Sequence, residues 1–93
     1  MSKKILIPSE MLEPVVTKTI AEIFEHFALE AWTYEQMLER LWSLSHFVDN
    51  CGAIHCSLAL TNTIGMVLSH KDNRDELRKN FKETLDKHTE ENL

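Results

Sequence analysis

The chain has 93 residues, only two glycines and two prolines, two cysteines, and a formal net charge of -5. Its length favours a single domain, and Gly and Pro fall well below their usual ~7% and ~5%, leaving few places for tight hairpins or bulges. The negative charge argues against a general nucleic-acid or anionic-membrane binder, because both require a positive field.

The acidic excess sits in the first half, where eight acids face four bases before Cys51. Lys3 and Lys4 are followed by only Ile5, Leu6 and Ile7 before Pro8. That is short of the roughly 7–15 apolar residues of a secretory signal. Two cysteines in such a chain read as reduced thiols, so a cytoplasmic location is expected.

Taken in order, residues 1–13 read as a short extended N-terminal arm. Ile5 and Ile7 are β-branched, and Pro8 restricts the residue before it. Pro14 suits the first turn of a helix, where its missing N–H costs nothing. Val16, Ile20, Ile23, Phe24, Phe27 and Ala31 then recur at helical spacing, with Lys18, Glu22 and Glu25 opposite. The spacing predicts a first helix over 14–30.

Thr33 and Gln36 have the spacing of a capping box, and Trp32 and Met37 that of a hydrophobic staple. A second helix is predicted over 34–49. Its apolar face holds Tyr34, Met37, Leu38, Leu41, Leu44 and Val48 at alternating three- and four-residue steps. Gly52 is a natural stop, linking helices two and three by a tight turn.

From Asn50 to His70 the chain runs 21 residues without Asp, Glu, Lys or Arg. About 20 apolar residues would span a bilayer, but this run is interrupted by Asn50, His55, Ser57, Thr61, Asn62, Thr63, Ser69 and His70. A buried third helix over 53–70 is the better reading. Its apolar residues fall on three sides, and a helix apolar on most sides must be covered on most sides. A small chain has few other elements to cover it. A homodimer is therefore expected.

Asn73 and Glu76 give a second capping signal, opening a fourth helix over 74–88. Leu77, Phe81 and Leu85 form its single apolar stripe. The whole reads as an all-α, compact four-helix bundle-like domain with a central third helix.

Four groups of residues invite a functional reading. His46, Cys51, His55 and Cys56, with Asp49, carry imidazole and thiolate ligands suited to zinc or to thiol redox chemistry. Adjacent His55 and Cys56 diverge by about 100° on a helix, so sharing one ion is difficult. Cys56 suits a small buried hydrophobe. No metal or other cofactor is expected. Cys51 with His55 as a thiol catalyst lacks a nearby cation or an oxyanion-binding group, since no Lys or Arg lies between Arg40 and Lys71. The chain is not expected to be an enzyme. Lys71, Arg74, Arg78 and Lys82 form a basic strip, but Asp75, Glu76, Glu83 and Asp86 interleave it.

The fourth group is a surface. Trp42 and Phe47 flank the apolar arc of helix two, and Leu29 falls on the polar side of helix one. All three exceed what one internal face needs. The leading expectation is a small non-catalytic interaction module, a regulator, adaptor or inhibitor of a larger protein. Its anchors would be Trp42, Phe47 and Leu29, with Glu22, Glu25, Glu35 and Glu39 steering a basic partner. Phage and plasmid accessory factors offer an analogy of size and charge only. The alternative is a metal-binding or redox-responsive protein built on the His46 to Cys56 cluster.

Overall fold

The structure is a computed structural model that describes residues 6–91, with side chains described as far as Lys87. It is all-α. Four helices follow one another as α1 (Ser9–Ala28), α2 (Tyr34–Asn50), α3 (Ile54–Ser69) and α4 (Arg74–Glu91), and no strand occurs among the described residues.

The first helix starts at Ser9, five residues ahead of the expected boundary at Pro14. Pro8 supplies the start, and its carbonyl accepts from the Met11 and Leu12 N–H groups at 3.0 and 3.2 Å. Pro14 therefore lies inside the helix, where it cannot donate to the Glu10 carbonyl. Leu12 explains why the helix forms regardless. It is buried with Val16, Ile23 and Phe27 on one face, and burying a leucine contributes about 1.5–3 kcal/mol, of the same order as the ~3 kcal/mol cost of an internal proline. The expected arm shrinks accordingly. Residues 1–5 lie outside the described residues, while Ile7 donates its N–H to the Cys51 carbonyl at 3.1 Å and ties the start of α1 to the end of α2.

The α1 to α2 junction is built by two local devices. Glu30 adopts a left-handed conformation, φ 62°, and the Ala31 N–H reaches the His26 carbonyl at 2.9 Å, closing the C-terminus of α1. Thr33 then caps α2. Its hydroxyl accepts from the Gln36 N–H at 3.2 Å, and Gln36 Oε1 accepts from the Thr33 N–H at 2.9 Å, completing the capping box. Trp32 stacks on His26, with ring centroids 4.4 Å apart, and the Arg40 guanidinium lies 5.2 Å from its ring centre. This makes Trp32 a clasp across the α1–α2 hairpin.

The Ile7–Cys51 bond sets α1 and α2 antiparallel, and α1 packs against all three of the other helices. The core gathers Phe27, Met37, Leu41, Val48, Leu60, Val67 and Leu77, all essentially inaccessible. Phe24 stacks on Phe81 at 4.3 Å, and Phe27 meets Tyr34 and Phe81 edge-on. Arg78 locks α4 to the hairpin. Its Nε donates to the Phe27 carbonyl at 3.0 Å, its Nη2 reaches the Trp32 carbonyl at 3.5 Å, and its guanidinium lies 4.3 Å over the Phe27 ring.

Helix α3 lies against α2 and α1. The Tyr34 hydroxyl donates to the Val67 carbonyl at 2.9 Å, and the Ser57 hydroxyl donates to Asp49. These two bonds join opposite ends of α2 and α3, so this pair is antiparallel as well. Burial of α3 is one-sided rather than central: Cys56, Leu60, Ile64 and Val67 are buried, and much of the opposite side is open. No described helix is long and apolar enough to cross a membrane.

Candidate functional site

The cysteine and histidine cluster does not converge. Cys51 and Cys56 are both buried free thiols, whereas His46 and His55 are exposed. The Cys56 thiol donates to the Ser9 carbonyl at 3.6 Å, pointing toward the start of α1, and Asp49 is engaged by Ser57. Among the described residues no group of three or more His, Cys, Asp or Glu side chains could hold a metal ion. Burial in apolar surroundings leaves both thiols without the exposed, electropositive setting that activates a nucleophile.

The basic strip on α4 is divided. Arg74 is used internally, bonding Glu35 at 2.6 Å and lying 4.3 Å over the Tyr34 ring. Arg78 is used internally as well, while Lys71 and Lys82 are exposed. The Glu35 carboxyl is held below the ordinary carboxylate range, first by its own backbone N–H and next by Arg74. Burial pushes the Tyr34 phenol up, against the opposing pull of Arg74. These contacts pin the start of α2 to the start of α4.

The anchors expected to meet a partner are exposed but lie apart. At 100° per residue, Trp42 and Phe47 sit about 140° apart around α2. Leu29 is exposed beyond the end of α1, beside Asp75, Arg78 and Lys79 of α4. Glu22, Glu25, Glu35 and Glu39 are all exposed. Glu22 lines the groove of Trp32 and Arg40 between α1 and α2, and Glu35 and Glu39 share the side of α2 that carries Trp42.

Two apolar faces result. On one, Phe47 falls by helical position on the Arg40 side of α2, and Met11 and Val15 on the Glu22 and His26 side of α1; Arg40, Glu22 and His26 line one groove, and Phe47, Met11 and Val15 are exposed. The Ile7–Cys51 bond places them at the same end of the hairpin. One aromatic and two aliphatic side chains are thus exposed at this end of the hairpin.

The other face centres on α3. Ile54, Leu58 and Leu68 are 69%, 59% and 43% exposed, and Trp42 is 47% exposed. Asp49 meets Ser57 and Tyr34 meets Val67, so Trp42, midway between Tyr34 and Asp49, stands level with Thr61 and Asn62. Thr61 and Gly65 complete the stripe, and both are exposed. The positions 54, 58, 61, 65 and 68 alternate four- and three-residue steps, which is the seam of a two-helix contact. The absence of charge in this run signals it; the missing piece is which side α2 and α1 leave open.

No protein-family model, curated protein or solved structure matches this chain.

Proposed function

We propose that this protein is a small non-catalytic interaction module, acting as a homodimer and regulating, adapting or inhibiting a larger protein by occupying part of its surface. The observation that carries the reading is the pair of separate apolar faces on so small a chain. Several large apolar side chains remain open to water on each, and contiguous exposure of that kind marks sites of association. Phe47, exposed at the same end of the hairpin as Met11 and Val15, suits a docking anchor, because aromatic residues dominate the energetics of protein contacts. The acidic side chains Glu22 and Glu25 on α1 favour a partner of basic character and speed its approach. No regulatory chemistry is needed in this reading: steric occlusion suffices.

The test compares proteins retained from native cell extract by the wild type, Phe47→Ala and Leu29→Ala chains. A defined protein retained by the wild type and lost with Phe47→Ala is the expected result. Identical retention by folded wild type and Phe47→Ala, or one zinc ion per chain that disappears with Cys51→Ser, would overturn the reading.

A further inference from the structure

We infer that the exposed α3 face is where two copies of this chain meet, in an antiparallel, two-fold contact that pairs Leu58 of each copy with Leu68 of the other. The inference rests on the homodimer in the function proposed above and goes further by assigning its surface, its direction and its register. It also separates the self-contact from the Phe47 face.

The pattern itself is self-complementary. Of the five seam positions, the four after Ile54 run large, small, small, large: Leu58, Thr61, Gly65, Leu68. When two such helices cross antiparallel with the axis at position 63, Leu58 faces Leu68 of the second copy and Thr61 faces Gly65. Large pairs then close both ends and small pairs let the backbones approach in the middle. A surface that matches itself under a two-fold rotation is what an isologous dimer requires.

Gly65 points to the same contact. A glycine in mid-helix weakens the helix relative to alanine, and a Cβ built at Gly65 would meet nothing within 4 Å among the described residues. Nothing among the described residues needs its small size. Close approach of a second helix does, since small residues at a helix contact let backbones come together.

Charge selects the same partner. Two copies each of formal charge -5 repel one another over most of their surfaces. The α3 face is uncharged from Asn50 to His70, so a second copy meets no like charge along the seam itself. A basic partner finds no carboxylate along the α3 seam itself and gains instead at the exposed glutamates of α1 and α2.

The test is sedimentation of four chains over low to high micromolar concentration: wild type, Leu58→Lys, Leu68→Glu and the double variant. Both positions are exposed, so each variant keeps its helical circular dichroism. The wild type is expected to be a dimer, and each single variant to associate at least about 100-fold more weakly, because an unpaired charge is placed in an apolar seam. Mixing the two single variants restores the dimer, since the lysine introduced in one copy meets the glutamate introduced in the other. The double variant also dimerises. A wild-type dimer untouched by Leu58→Lys would overturn the seam while leaving the homodimer and the docking function standing. Failure of both the mixture and the double variant to dimerise would overturn the antiparallel register. A folded wild-type monomer throughout would overturn the inference and the homodimer together, while retention of a partner through Phe47 would still test the docking reading separately.

Discussion

Glu30 and Gly52 occupy equivalent positions, each just past a helix and each with a left-handed backbone, φ 62° and 71°. Only one is a glycine. A side chain in that conformation costs roughly 1–2 kcal/mol, offset in part by the extra unfolded-state freedom of glycine. Glu30→Gly is therefore expected to stabilise the fold by about 0.5–1 kcal/mol in urea denaturation. Gly52→Ala is expected to destabilise it by about 1–2 kcal/mol, since its Cβ would also press on Leu6 Cδ2 at 3.0 Å. Equal effects of the same sign would contradict the assignment. The Glu35 carboxyl offers a second reading at this scale. Its folded value is depressed, so its contribution is present above the unfolded carboxylate range and is lost as pH falls through the folded value. Arg74→Met is expected to move the Glu35 midpoint part of the way up in an NMR carboxyl titration. The backbone N–H remains as the larger cause. An unmoved midpoint would show that Arg74 plays no part.

Among the elements, α2 is the most legible from sequence because its start is encoded in adjacent residues. Thr33 and Gln36 need only each other, and both of their bonds form. The start of α1 is misplaced by sequence reasoning for the opposite reason. Pro14 looks like a local start signal, but the buried Leu12 two residues earlier overrides it, and that burial depends on helices distant in sequence. The basic strip of α4 shows the same limit. Arg74 and Arg78 look like free cations in sequence, yet their partners Glu35, Phe27 and Trp32 lie about forty to fifty residues away. Arg78→Ala is expected to cost about 2 kcal/mol, from a charge-assisted bond to a backbone carbonyl together with a cation–π contact. Arg78→Lys should recover less than half, because one ammonium cannot serve both carbonyls and lie over the Phe27 ring. Full recovery in thermal or urea unfolding would contradict that role. The exposed side of α3 is half-legible: the uncharged run marks it, while its open face depends on how α1 and α2 pack.

For the whole molecule, the arrangement separates what holds the chain together from what it presents. Phe27, Leu41, Leu60 and Leu77 are consumed in the core, and Arg74 and Arg78 are consumed in joining helices. The imidazoles and thiols of the 46–56 segment are dispersed, two exposed and two buried. What remains available is apolar surface on two sides of an acidic chain. The α3 face is uncharged along its seam, with Glu35 and Glu39 on the neighbouring Trp42 side of α2, and the Phe47 face lies beside Glu22 of α1. The measurement that tests this most directly is the mass in solution of the wild type beside Leu58→Lys. Twice the 10.8 kDa chain mass is expected for the wild type at micromolar concentration, and 10.8 kDa for the folded variant. A folded wild type that remains at 10.8 kDa at high micromolar concentration would contradict it.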